Sequence, residues 1–490
     1  MTIPVTVPGV AHKGTTKGVA AAKGGFTYST ITLQYNTQQT ANFALQLLSQ
    51  IYAAAGKNKL EVKNDSEKAT GDTKHPTLKE WTLGDTGGKQ NTGPTEGTVP
   101  AGYLGIIDAY TNQVSEIVGA KDQKNETVVA GGNMHFFTNG GSGTVISGQG
   151  NNLVNANATG DGNWTVIFDG GNNTVYANSG NFFIDDGNAS TTGANSIFLG
   201  SGSNTVLSWG QDSIIGAPGG SALVATFVPG ALFWGNSGPS TYINFGGKDT
   251  FAGGVGGSDT VFAVNSGGLY FGGGSSLEFI SGANTANTVV GGSSSNVIWG
   301  NTGSNGLYFV GTGSFTAVGQ NESQTIVGGQ SSHAADLFGL SGANVNLFSP
   351  VNGNELIAGP GNVTLNGAGS SGNDAYFAGA GTGSADSIVA GSGNNTLVAG
   401  PGSNTLVGGT GANVFEVDKN VAGGGTNFLV NWNSNDKLVL SGYGAGKHGG
   451  LPPGTHHSVV GGSEVLTLSD GTKITFVGVS HVPNSHIIGT

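Results

Sequence analysis

The chain has 490 residues, 92 of them glycine, and only 9% are charged, less than half the usual share in a globular protein. Glycine at nearly one residue in five with no G-x-y period excludes a collagen triple helix, and 36% hydrophobic content with so little charge excludes a solvated disordered polymer. Cysteine and arginine are absent, the net charge is −12, and 12 of the 17 lysines lie before residue 125, which excludes disulfides, thiolate metal sites and a nucleic-acid role for the long second part.

In chain order, residues 1–26 read as an extended arm with Ile3, Val5 and Val7 alternating. Such an arm has no core of its own, and the expectation is that these three residues serve assembly by adding a strand to a neighbouring copy. The opening residues lack the basic and apolar regions of a cleaved export signal, and no stretch has the apolar length of a membrane span. FTYSTITLQY (26–35) suits a strand. Residues 40–55 suit a helix: Thr40 caps it, Ala44, Leu47, Leu48, Ile51 and Ala55 form one stripe, and Gly56 stops it. Residues 57–100 read as a long polar loop with one strand near Trp81, and 103–119 as a strand or a short helix. Together 27–125 make a small α+β capping segment.

From about 126 to 430, short apolar triplets alternate with Gly/Ser/Asn turns. Asn287, Asn296, Asn305 and Ser314 are spaced by nine, as are Asp386, Asn395, Asn404 and Asn413. Nine residues with one short strand and one glycine turn cannot bury their own apolar face, whereas stacked copies can. The predicted fold is therefore mainly all-β: a parallel β-solenoid or β-roll. With two nonapeptides per coil it would have roughly 17 coils along about 80 Å. Residues 431–490 make a C-terminal β cap.

The unit in GSGNNTLVAGPGSNTLVGGTGANVFEV, and the segments NFLVNWNSNDKLVLSGYG (427–444) and SEVLTLSDGTKITFVGV (463–479) after it, resemble the RTX, or haemolysin-type, repeat G-G-x-G-x-D-x-U-x and the segments that close such regions. The resemblance implies a β-roll that binds Ca²⁺ between turns. It also implies an extracellular or bacterial cell-surface protein, exported without a cleaved leader by a channel that reads an uncleaved C-terminal segment. The chain departs from the family at the ligand position. That position holds Asn173, Asn195, Asn204, Asn287, Asn296, Asn395, Asn404 and Asn413, against Asp212, Asp249, Asp259 and Asp386. Calcium wants several oxygens with net negative charge, and a neutral amide withholds the charge. Two readings follow: structural ladders of stacked Asn at 287, 296, 305, 395, 404 and 413, or Ca²⁺ at Asp185, Asp186, Asp212, Asp249, Asp259 and Asp386. The first makes calcium dispensable for folding.

No catalytic constellation stands out. Glycine abundance makes G-x-G-x-x-G matches uninformative. His456 and His457 read as a solvated loop and His135 as a strand-edge residue. Adjacent strand residues such as Asp185 and Asp186 point to opposite faces, so they cannot serve one bond as a hydrolytic pair unless they lie in a turn. Trp164, Trp209, Trp234 and Trp299 read as core or corner residues, with stacking on sugars as the alternative. The functional expectation is a non-enzymatic secreted protein that assembles with itself into a surface layer, fibre or matrix. The alternative is an adhesin that grips a cell-surface polysaccharide.

Overall fold

The computed structural model describes residues 2–13, 25–64, 68–85, 95–158, 160–177, 179–187, 193–265, 267–301, 305–309, 311–319, 323–327, 335–339, 344–348, 353–359, 361–444, 446 and 449–489. Strand accounts for 46% and helix for 6%, so strand pairing carries the architecture, which is a parallel β-solenoid. The chain divides into two compact units, Met1–Thr250 and Phe251–Thr490.

In the first unit each coil contributes one strand to each of two parallel sheets. One sheet runs from Leu60–Asn64 through Leu78–Leu83, Gly105–Asp108, Glu126–Ala130 and Gly141–Ser147 onward to Ser240–Asn244. The other runs from Glu96–Thr98 through Ser115–Val118 and Met134–Phe137 to Leu232–Trp234. Register stacks like positions on like. Ile106, Val128, Val145, Val166, Ile184, Val206, Val224 and Tyr242 form one fully buried inward column, faced by Ile117, Phe136, Val154, Val175, Ile197, Ile214 and Phe233. A period of two on short strands thus becomes a continuous dry interior.

The solenoid starts earlier than the composition indicates, at Leu60 rather than near 126. Residues 57–100 are not one long loop. Their described part holds four strands, and Trp81 is fully buried. The segment 103–119 holds two strands, Gly105–Asp108 and Ser115–Val118. The first coils lack the Gly/Asn signature because an added layer covers their outer face, so a strand such as Gly105–Asp108 is buried on both sides.

That layer is the N-terminal segment. Strand β1 (Ile3–Lys13) pairs antiparallel with β2 (Phe26–Tyr35), setting Ile3 opposite Tyr35, Val5 opposite Leu33 and Val7 opposite Ile31. Val5 and Val7 are buried in one core with Leu33, Tyr35 and, from helix α1 (Gln38–Gly56), Ala44, Leu48 and Ile51; Ile3 packs against its edge. The assembly role assigned to Ile3, Val5 and Val7 is therefore corrected. The arm finds its antiparallel partner within its own chain, because β2 is itself outside the solenoid sheets and needs one. The N-cap of helix α1 lies three residues before the expected Thr40, at Thr37, whose side chain accepts from the Thr40 N–H at 3.1 Å.

In the second unit, strands from Ser258–Ala263 to Lys437–Ser441 and Ile487–Gly489 build one sheet, and strands from Leu269–Phe271 to Thr426–Val430 and Lys473–Phe476 build the other. Near its end the chain turns antiparallel: His456–Val460, Ser463–Thr467 and Lys473–Phe476 form a meander. His456 and His457 sit on its exposed outer strand rather than in a loop, and His457 Nε2 lies 2.9 Å from Glu464 Oε1.

Candidate functional site

The residues that distinguish these coils are the Asn and Asp side chains that immediately precede a strand. At that point the backbone leaves a glycine turn, and its N–H has no sheet partner. The next coil supplies one. In the first unit the Asn152 N–H and Nδ2 both donate to Asn173 Oδ1 (3.0 and 2.9 Å), and Asn173 donates likewise to Asn195 Oδ1 (2.8 and 2.9 Å). Asn195 in turn donates twice to Asp212 Oδ1 (2.8 Å each). In the second unit Asn354 Nδ2 donates to Asp374 Oδ1, and the Asp374 N–H to Asn395 Oδ1 (2.9 Å). Asn395 then donates to Asn413 Oδ1 and Asn413 to Asp436 Oδ1 (2.7 Å from the N–H). All these side chains are buried. Each rung therefore satisfies a donor whose burial would otherwise cost about 1–3 kcal/mol.

The rungs join residues 17 to 23 apart, not nine, because successive nonapeptides alternate between the two sheets. Asn395 and Asn413 thus share one ladder, while Asn404 belongs to another and donates to Asn427 Oδ1 at 2.8 Å. Asn287 and Asn296 are buried and also bridge coils: Asn287 Oδ1 accepts from the Gly268 N–H and Asn296 Nδ2 donates to the Ser314 carbonyl (3.2 Å each), beside local bonds from Asn287 Nδ2 to Thr285 Oγ1 (3.0 Å) and from Asn296 Nδ2 to the Ser294 carbonyl (2.7 Å). Asn305 is not a rung. The pairing of Thr288 with Leu307 sets Gly306 opposite Asn287, so Asn305 falls one residue early and is exposed.

A second ladder, outside the nine-residue spacing of the first, runs beside it. At Asn151–Asn152, Asn172–Asn173 and Asn394–Asn395, the first Asn of the doublet accepts from the following coil. Asn151 Oδ1 accepts from the Asn172 N–H, Asn172 Oδ1 from the Ala194 N–H (2.9 Å) and Asn394 Oδ1 from the Ala412 N–H (2.7 Å). The doublet itself, Asn-Asn before a strand, is the sequence signal. One side chain ties the coil forward and its neighbour ties it back.

The six candidate aspartates do not form one site. Asp185 lies on the outer column of its strand, and Asp186 turns to meet Asp212. Asp186 accepts from the Trp209 N–H (2.6 Å) and from Asn195 Nδ2 (2.8 Å), while Asp212 Oδ2 accepts from Ser208 Oγ (2.6 Å). Burial, then the adjacent Asp212 carboxyl, pushes Asp186 well above the usual carboxylate range. Asp249 accepts from Thr226 Oγ1 (2.6 Å), Tyr242 OH (2.9 Å) and the Gly230 and Ala231 N–H groups. Asp386 accepts from the Val363 and Gly379 N–H groups (3.0 and 2.8 Å). Asp259 is buried beside Gly253. Among the described residues no three His, Asp or Glu side chains are grouped to hold a metal ion.

Hydrogen-bond chemistry decides how the ladder positions suit calcium. The Asn395 Oδ1 takes the Asp374 N–H, which can only donate, so its Nδ2 must face the carbonyls of Gly391 (3.1 Å) and Gly393 (2.8 Å). Asn413 repeats this on Gly409 and Gly411, and Asn204 on Gly200 and Gly202. A positive-end N–H of the amide thus sits on turn carbonyls of the kind a hard cation would take, without the negative charge such a cation needs. The Asn positions do not fit Ca²⁺. Asp249 is likewise fully engaged by O–H and N–H donors.

The outer surface carries two other features. Helix α1 borders a groove of about 880 Å³ whose walls include Leu47, Gln50, Ile51, Thr127, Thr144 and Asn163. On the short-strand sheet of the first unit, Tyr176, Phe198, Ile215 and Trp234 form one outward column beside Thr174, Ser196, Ser213 and Leu232. Tyr176 and Phe198 stack with centroids 4.8 Å apart. Trp164 is buried and Trp209 stacks on Phe227 at 4.1 Å, but Trp234 and Trp299 are 54% and 42% exposed.

The family description that matches is the RTX calcium-binding nonapeptide repeat, in four copies over residues 278–309 and 380–415. Comparison with curated proteins finds no match. RTX repeats are typical of secreted or surface-associated proteins, and among the described residues no helix is long and apolar enough to cross a membrane. The nonapeptide match lies within the parallel two-sheet coils of the second unit, and those stretches are RTX-type repeats of a parallel β-solenoid.

Proposed function

We propose that the protein is a secreted, non-enzymatic structural protein that assembles with itself into a bacterial cell-surface layer, fibre or matrix, and that calcium is not needed to fold it. The observation that carries the assembly role is the outward column of Tyr176, Phe198, Ile215 and Trp234. With its companion column it presents four successive strands without one charged residue, on a chain of net charge −12. Contiguous neutral, aromatic-bearing surface marks a contact face, and elsewhere like charge keeps copies apart. The six aspartates support the non-catalytic reading, since all are buried within the coils. The amide-filled turns support independence from calcium.

Electron microscopy of the purified protein tests the assembly role. Wild type is expected to give ordered filaments or sheets, and the double variant Ile215→Lys with Trp234→Lys dispersed particles of unchanged circular dichroism. Wild-type particles that stay dispersed at high concentration would contradict it. The exposed indoles of Trp234 and Trp299 favour a second reading, an adhesin that stacks on a cell-surface polysaccharide. Dispersed wild-type protein that binds glycans and loses them in Trp234→Ala is the outcome that reading requires.

A further inference from the structure

Among the described residues of the first unit, Glu80 is the carboxylate with both oxygens buried and without a hydrogen-bond partner. It lies on the outer column of the strand Leu78–Leu83, between Val62 and Gly105 in register. It is fully buried, and neither carboxyl oxygen has a hydrogen-bond partner. What buries it is the N-terminal layer. Helix α1 crosses directly above, with Ile51 Cδ1 2.8 Å from where a Gly105 Cβ would stand and the Glu80 Cγ 3.9 Å from the same point. The titratable groups that face it are Tyr52 from α1, Tyr28 from β2 and Asp85 beyond its own strand. None is a cation. The nearby Lys59 and Lys79 pair with Asp72 and Glu61.

Acids also make two of the layer's other polar ties, beside neutral ones such as the Ala11 N–H to Thr70 Oγ1 (3.0 Å) and Tyr28 OH to the Leu60 carbonyl (2.9 Å). Asp85 Oδ2 accepts from the Val10 N–H of β1 at 2.8 Å, and the Asp169 carboxylate accepts from the N–H groups of Asn36 and Thr37 at the start of α1. Beneath the layer lies an apolar strip: Leu60, Val62, Ile107, Val129, Ile146 and Ile167.

We propose that β1, β2 and α1 form a releasable cover over the first coils, held down by a protonated Glu80 and loosened when that carboxyl ionises, which uncovers the apolar strip. A carboxylate there would have no donor and no counter-charge, whereas an undocked layer would return it to water. The sign follows. Burial, then the nearby Asp85, raises Glu80 well above its ordinary 4.5 in the docked state, so undocking releases a proton. Docking is therefore strongest below about pH 4.5 and weakens as pH rises toward the docked value, by up to tenfold per pH unit for one proton. Burial raises Asp169 too, which adds to the trend in the same direction. The device is independent of the assembly role proposed above.

Hydrogen exchange of the full-length protein between pH 5 and 9, corrected for intrinsic rates, tests it. In wild type the protection of α1 amides is expected to fall with pH while the coil strands around Val145 and Val206 hold theirs. Glu80→Gln should lower the slope for α1 by one proton, and Glu80→Met should do the same with greater protection than wild type at pH 9. An unchanged slope in Glu80→Gln, loss of α1 and coil protection together, or a Met variant no better protected at pH 9 would each overturn the proposal.

Discussion

Replacing Asn413 with leucine is expected to destabilise the second unit by about 3–5 kcal/mol, among the larger effects a single substitution produces. The side chain accepts the Asn395 N–H and Nδ2, and donates to Asp436 Oδ1 and to the turn carbonyls of Gly409 and Gly411. Leucine is close in size, so little is lost in packing, and the penalty comes from buried donors and acceptors left without partners, at about 1–3 kcal/mol each, partly relieved by relaxation. Asn413→Asp separates geometry from charge. It keeps the acceptor but abolishes the donor to Gly409 and Gly411, and it sets a carboxylate against Asp436. Urea unfolding followed by circular dichroism should rank wild type above both variants, with the aspartate variant recovering as the pH falls.

Gly171→Ala should be as damaging in the first unit, at more than about 3 kcal/mol. Gly171 has φ of +94°, a region closed to side chains, and a Cβ there would overlap the carbonyl oxygen of Gly150 in the preceding coil. Neither coil yields without moving the adjacent doublet Asn172–Asn173, in which Asn172 Oδ1 accepts from Ala194 of the following coil and Asn173 Oδ1 from Asn152 of the preceding one. A useful control is Gly102→Ala. It also has positive φ, but no neighbour lies within reach of its Cβ, so it should cost only the backbone strain of about 1 kcal/mol.

The repeats were legible because the physics that builds them is local. A glycine turn, one Asx and an alternating strand recur in the text wherever a coil recurs in space, as in residues 391–417. The first coils were not legible. Glu80, Gly105 and Ile107 look like parts of a polar or ambiguous stretch, and only α1 lying above them explains why Ile106 and Ile107 are both buried. The partner of the arm is hidden for the same reason. Alternation at Ile3, Val5 and Val7 identifies a strand but not its partner, and β2 is 13 residues away with an apolar face of its own. Asn305 shows the limit of counting: spacing by nine placed it on the ladder, and a one-residue slip at Gly306 removed it. The direction of the ladder, each Asn reaching to the next coil, was invisible in the text, because it depends on coil length rather than on repeat length.

Calcium titration of folding is the most direct test of the idea that asparagine amides occupy the turns of this RTX-type solenoid. Thermal unfolding of the full-length protein, followed by circular dichroism in excess chelator and then in millimolar Ca²⁺, should give superimposable β-rich spectra and midpoints within about 2 °C of one another, since a ligand that does not bind the folded state cannot shift its stability. A disordered spectrum in chelator, or a midpoint raised by 10 °C or more on adding Ca²⁺, would contradict the account.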